Sequence, residues 1–304
     1  MQVSLVGLGC NNFGQRLDQE GTNLVVRRAL DLGITLFDTA DVYGGKGGSE
    51  TMLGKALGSE RSNIVLASKF GLDMGEAGKG AAPEYIRSAV QASLKRLGTN
   101  HLDLYQLHTP DPATPLEDTL GTLNELVQQG LVRFIGCSNL DAAGIRQAAQ
   151  ISKDHGYAAF VSAQDEYSLL VREAEKQLLP TLEELHLGLL PYFPLASGLL
   201  TGKYRAGQEA PEGTRLAAKG GLSDRYMTPE NIQTTEALRG FVESQNHTLL
   251  ELAFSWLASH PVVSSVIAGA TKPEQLDQNV KAVDWTLSQD DLKEISRIAD
   301  GVPA

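Results

Sequence analysis

Cysteine is nearly absent from this 304-residue chain: only Cys10 and Cys137 are present. Two isolated thiols give neither a disulfide framework nor a metal-binding motif, and they suit a reducing cytosol. Positive charge is also short. Lys and Arg number 26 against 37 Asp and Glu, giving a formal charge of −11 and a pI near 5.0. Such a chain repels phosphate backbones, which argues against nucleic acid as a partner. No apolar run approaches the roughly 20 residues that a membrane-crossing helix needs. The stretch 1–10 is apolar but lacks a basic lead-in and a small-residue cleavage signal, so a cytoplasmic protein is expected.

What is present is a globular balance. Hydrophobic residues make up 42% and charged residues 21%, enough for a full core and against disorder. The length allows one α/β barrel or two ordinary domains. Alternation decides between them. Short apolar runs near residues 3–8, 36–38, 64–69, 102–107, 132–137, 161–164, 187–190 and 264–267 read as strands, with helical spacing between them. Most steps are about thirty residues, the size of one βα unit. No interior linker interrupts the series. The expectation is a single (β/α)8 TIM barrel over residues 1–304, with a long Gly-, Pro- and charge-rich loop after strand 7 (194–229) and an extra C-terminal helix (289–299).

Two glycine motifs invite a nucleotide reading and fail it. Gly7-Leu8-Gly9 follows a strand, but Asn12 stands where a dinucleotide fingerprint needs its third glycine. In the Gly44–Gly48 loop, Lys46 is followed by Gly47 instead of Ser or Thr, so it is no P-loop. A nucleotide would need some other scaffold.

The chemistry concentrates at strand ends. Asp38 ends the second strand, with Tyr43 just beyond it before a glycine-rich loop expected to be very flexible. Lys69 ends the third and His108 the fourth. In a barrel these ends converge on one face, where active sites sit. A lysine ammonium stabilises phenolate and is expected to lower the tyrosine pKa from near 10. A carboxylate would hold the lysine charged, and an imidazole would orient a carbonyl oxygen. Taken singly, Asp38 also reads as a cap, Tyr43 as a loop aromatic and His108 as a cap before Pro110. No metal site is expected. His101, His155, His186, His247 and His260 read as structural or solvated.

These four residues resemble the catalytic tetrad of the aldo-keto reductase superfamily, in its bacterial and channel-β-subunit-like branch. Gly33–Gly44, with Asp-Thr-Ala-Asp-Val-Tyr at its centre, is similar to the first family signature; Ala67-Ser68-Lys69 and Asp103–His108 carry the lysine and histidine. The resemblance implies NADP(H) as cofactor and a small-molecule aldehyde or ketone as substrate. It further implies that Ser138, Asn139 and Gln164 bind the nicotinamide carboxamide and that Tyr192 stacks on its ring. Leu195, Ser197, Gly198 and Lys203 match the pyrophosphate loop, with Arg215 as an added cation. Gly269, Thr271, Lys272, Gln275, Gln278 and Asn279 match the adenosine-phosphate segment, where a helix starting near Pro273 would offer free N–H groups to an anion. Gln278 replaces the usual Glu, and Gln275 stands where Arg is frequent. Family members usually carry an N-terminal hairpin that closes the barrel bottom; here Met1 falls almost at the first strand, so either the bottom is more open or the chain begins late.

Other readings remain at this stage. Ser138 and Asn139 also suit a helix cap, and Arg215 a solvated loop. Phe13, Tyr85 and Tyr226 are candidate pocket aromatics whose direction the sequence leaves open. The same residues would serve a nucleotide-binding redox sensor or regulatory subunit with little turnover. A Schiff-base lyase using Lys69 is the third alternative, weakened by Asp38 holding that lysine protonated.

Overall fold

Side chains alternate along a strand, so a two-residue step keeps the same face. In the computed structural model, which describes residues 1–218 and 220–301, this rule sorts the interior from the helix-covered outside. Lys219 and residues 302–304 of the expected domain lie outside the described residues. Strand β2 (Leu36–Asp38) sends Leu36 inward, and β3 (Val65–Phe70) sends Val65 and Ala67; both contribute to a small inner cluster with Leu104, Leu190 and Ile267. One more step along each strand gives Asp38 and Lys69. The intervening residues, Phe37, Leu66 and Phe70, pack outward in the larger core beneath the helices. Each buried Leu or Phe contributes roughly 1.5–3 kcal/mol, so a one-residue slip would be strongly opposed on both faces.

The remaining strands are β1 (Val6–Gly9), β4 (Leu102–Leu107), β5 (Val132–Ser138), β6 (Phe160–Gln164), β7 (Gly188–Leu189) and β8 (Val266–Gly269). All neighbours are parallel, in the order β7-β6-β5-β4-β3-β2-β1-β8. The sheet curls. Leu189 N donates to Val262 O at 2.7 Å and Ser264 N to Leu189 O at 2.9 Å, linking β7 to the approach to β8. Those bonds satisfy an edge that an open sheet would leave bare.

Boundaries moved for identifiable reasons. The first and last strands both begin later than expected because they pair only with each other's later residues, Val6 with Val266 through Gly9 with Gly269. β7 is a two-residue strand. A Cβ at Gly188 would lie 2.1 Å from Ser264 Oγ, so glycine is what admits the approach. The first helix starts at Gln19, where the Asp18 carboxylate accepts from Gly21 N at 2.9 Å and caps it. After β7 come a 3-10 stretch (Ala196–Thr201) and helices Leu222–Tyr226, Pro229–Ser244 and Leu249–Ala258; Gln289–Ala299 is the last helix. Among the described residues no helix is long and apolar enough to cross a membrane.

Candidate active site

Register brings the polar strand ends together. Asp38 pairs with Ala67 and Lys69 with Gln106 across neighbouring strands, so their inward side chains meet at one depth. Lys69 Nζ lies 2.6 Å from Asp38 Oδ2 and donates to Thr39 O at 2.9 Å. Lys69 is fully buried, 0% exposed. Burial alone would pull the lysine pKa down, but the Asp38 charge, joined by Tyr43 once that phenol ionises, outweighs it and holds the ammonium above its ordinary value. Two amides complete the carboxylate's shell: Gln106 Nε2 and Gln164 Nε2 donate to Asp38 Oδ1 at 3.1 and 3.0 Å. Asp38 is thus an ion-pair partner, not a cap.

Tyr43 opens a short turn (Tyr43–Lys46) in which Gly44 and Gly45 both take left-handed backbone. Gly44 follows it at φ +69°, where a Cβ would come within 2.5 Å of Phe13 O and 2.4 Å of Ser49 N. Only glycine fits there, and its fixed position aims the tyrosine. Lys69 Nζ is 5.1 Å from the Tyr43 ring centroid, and the His108 ring packs edge-on at 5.7 Å. The expected fall in the tyrosine pKa needs correcting. Burial raises it, and the charge and hydrogen bond of Lys69 offset that rise only in part, so the net shift is upward. The phenol therefore keeps its proton at neutral pH. His108 moves the other way: burial and the Lys69 charge lower its pKa to about 3, so the imidazole is neutral. Its Nδ1 is buried without a protein partner.

Asp38, Tyr43 and His108 form the floor of a cavity of about 760 Å³, with Lys69 just beneath. All fifteen residues expected to bind cofactor line this cavity: Ser138, Asn139, Gln164, Tyr192, Leu195, Ser197, Gly198, Lys203, Arg215, Gly269, Thr271, Lys272, Gln275, Gln278 and Asn279. Several are already engaged with one another. Asn139 Nδ2 donates to His108 O and to Ser138 Oγ, both at 3.0 Å, and Tyr192 Oη donates to Asn139 Oδ1 at 2.8 Å. Neither Ser138 nor Asn139 is a helix cap, because Asp141 takes that place. The N–H groups before Pro273 are not free either. Gln275 Oε1 accepts from Thr271 N at 2.7 Å and Lys272 N at 3.3 Å. Phe193, Ala196 and Ser197 all have positive φ, a strained cluster at the cavity wall, and Ser197 Oγ is buried without a partner. An unpartnered hydroxyl in a bent loop is a fitting place for a phosphate oxygen.

Residues 5–300 match the Aldo/keto reductase family. The chain belongs to that family. A putative voltage-gated potassium channel subunit beta of Schizosaccharomyces pombe is 37% identical across all of this chain and 92% of that protein. L-glyceraldehyde 3-phosphate reductase of Escherichia coli (strain K12) is 33% identical over 99% of this chain and 90% of its own length. Probable aldo-keto reductase 1 of Glycine max is 34% identical over 97% and 85%. Membership implies the (β/α)8 barrel toward which the eight curled parallel strands already point.

Sequence reasoning missed several parts of the cavity. Leu72 and Phe193 supply apolar wall, whereas Phe13, Tyr85 and Tyr226 do not line it. Phe13 and Tyr226 are core residues, the latter donating to Glu166. Gln106 was legible in principle, two residues before His108 and on the inward phase of β4. Arg16 and Asn12 sit in an irregular turn with no periodic signal.

Asp41, between the two signature residues, is 1% exposed, and its Oδ1 has no partner. Burial and the nearby Glu50 charge push its pKa up to about 7. A folded-state pKa above the unfolded value near 4 means that stability is lost as pH rises from about 4 through 7. Asp41→Asn removes that ionisation. Three pKa units correspond to about 4 kcal/mol, less about 1–3 for an amide left partly unpaired. The variant should therefore be more stable than wild type by roughly 1–3 kcal/mol at pH 8, with little or no advantage at pH 5. Asp165, also raised to about 7 by burial, adds a slope common to both proteins. Melting curves at the two pH values check this; an unchanged pH slope in the variant would remove Asp41 as its source.

Proposed function

We propose that this protein is an NADP(H)-dependent oxidoreductase that reduces an aldehyde or ketone to an alcohol, its fold a single domain. The observation that carries the reading is the buried Lys69–Asp38 ion pair at 2.6 Å beneath a protonated Tyr43 that faces the large cavity. Relatives named reductases support oxidoreductase activity in the same family. When bound, the nicotinamide supplies the hydride. Tyr43 hands its proton to the oxygen of the carbonyl being reduced, as a positioned general acid. Lys69 pulls on the phenol's electrons as that proton leaves, and Asp38 keeps Lys69 cationic. His108, neutral, directs a hydrogen bond to the substrate oxygen.

The cavity's charge supports a nucleotide. Among the described residues lining it, four are cations (Arg16, Lys203, Arg215 and Lys272) and one is a carboxylate, Asp38, already paired. That excess stands out in a chain of net charge −11. In this reading Tyr192 stacks on the nicotinamide ring and Ser138, Asn139 and Gln164 read its carboxamide. Leu195, Ser197, Gly198, Lys203 and Arg215 hold the diphosphate. Gly269, Thr271, Lys272, Gln275, Gln278 and Asn279 hold the adenosine end. Because Gln275 Oε1 occupies the Thr271 and Lys272 N–H groups and also accepts from the Thr271 hydroxyl at 3.4 Å, the Lys272 ammonium carries most of the 2′-phosphate contact, with the Thr271 hydroxyl beside it.

Loss of NADPH absorbance with a panel of aldehydes and ketones tests the activity. Relatives named as channel β subunits favour a second reading, a nucleotide-binding regulatory subunit. Tight NADPH binding with no turnover across the panel would select it. Cofactor preference has its own test. Lys272→Ala should raise the NADPH Kd about 10-fold, the size of one charge-assisted hydrogen bond. NADH binding should hardly change; an equal effect on both would move Lys272 away from the 2′-phosphate.

A further inference from the structure

Arg16 lies outside every assignment made so far, yet its side chain borders the cavity beside Arg215. One residue fixes both. Asn12, 5% exposed, accepts from Arg16 N through its backbone oxygen at 2.9 Å and from Arg215 Nη2 through its side-chain oxygen at 3.2 Å. Its amide nitrogen donates to Ala270 O at 3.3 Å, at the end of β8. The turn carrying Arg16, held by the Asn12 backbone, and the loop carrying Arg215 and the segment leading to Thr271, held by its side-chain amide, thereby meet at one buried residue.

The two guanidiniums feel each other. Burial lowers the Arg215 pKa, and the Arg16 charge is the next cause. Among the described residues neither arginine has a carboxylate within ion-pair distance, although acids outnumber cations 37 to 26 in the chain. Elsewhere most arginines are paired, as Arg28 is with Asp277, Arg96 with Glu50 and Arg172 with Glu175. Two like charges held together without a counterion repel, and a bound anion would turn that repulsion into attraction. Guanidinium geometry suits phosphate oxygens in particular.

We propose that Arg16, acting with Arg215 across the Asn12 tie, grips a phosphate of the bound dinucleotide and is a determinant of cofactor affinity. The proposal rests on the cofactor reading above. Two phosphate sources share this chemistry, the bridging diphosphate and the 2′-phosphate of NADPH. Arg16 is exposed, and among the described residues its side chain makes no hydrogen bond or ion pair, so its replacement should leave the melting temperature nearly unchanged.

Calorimetric titration of the full-length protein with NADPH and with NADH, for wild type, Arg16→Ala and Arg16→Lys, separates the outcomes. The expected result is an approximately 10-fold weaker Kd for Arg16→Ala, partly restored in Arg16→Lys, with the difference shrinking at high salt. Equal loss with both nucleotides places Arg16 on the diphosphate; loss with NADPH alone places it on the 2′-phosphate. Unchanged affinity for both in Arg16→Ala, with wild type binding normally, overturns the proposal. Wild type binding neither nucleotide would instead overturn the cofactor reading on which it stands.

Discussion

Tyr43→Phe should lower kcat for carbonyl reduction by about 100- to 10,000-fold, the range over which a positioned general acid contributes. Cofactor affinity should be nearly unchanged. The substitution deletes one oxygen and keeps the ring that packs edge-on against His108 at 5.7 Å and lies 5.1 Å from Lys69 Nζ. Folding should be little affected, because Lys69 keeps its bonds to Asp38 and to Thr39 O. Stopped-flow turnover and a separate NADPH titration divide the two effects. Parallel loss of turnover and binding would mean that the phenol holds the cofactor and does not donate the proton. The upward pKa of Tyr43 sharpens the expectation. A phenol that stays protonated across neutral pH should give reduction rates nearly flat from pH 6 to 8. His108, with its pKa lowered to about 3, adds no titration in that window.

Much of this was legible in the residues, and what was not has physical causes. Lys69 could be found because it ends a run, Ile64–Ala67, too apolar to carry a charge without a reason. Asp38 and His108 followed from their equivalent places on neighbouring strands. Direction was legible as well, since a two-residue step from Ala67 reaches Lys69 and one from Leu36 reaches Asp38. The sign of the Tyr43 shift was not. Sequence shows that a cation is near but not how much water the fold excludes, and at Tyr43 burial is the larger effect. Asn12 entered only as the residue that spoils a glycine fingerprint; its part in joining three segments depends on Ala270, 258 positions away. Strand ends shifted wherever pairing depended on a distant partner, as at Gly188 against Ser264.

Lys69→Met tests the ion pair itself and should be the most disruptive single change in the site. Methionine fills similar volume without charge, so Asp38 is left as a buried carboxylate with only the Gln106 and Gln164 amides around it. Stranding one member of a buried pair typically costs about 3–5 kcal/mol. Turnover should also fall by at least about 100-fold, because nothing would draw on the phenol as its proton leaves. These losses have different origins, and a second variant separates them. Asp38→Asn combined with Lys69→Met neutralises both members, so its stability should recover most of what Lys69→Met alone forfeits. Its activity should not recover. Chemical denaturation of the single and double variants reads the first, and NADPH oxidation reads the second. Strictly additive destabilisation would mean that the two groups, 2.6 Å apart, do not depend on one another. Activity returning with the neutral pair would mean that a cation beneath Tyr43 is not required, and the proposed role of Lys69 would fall with it.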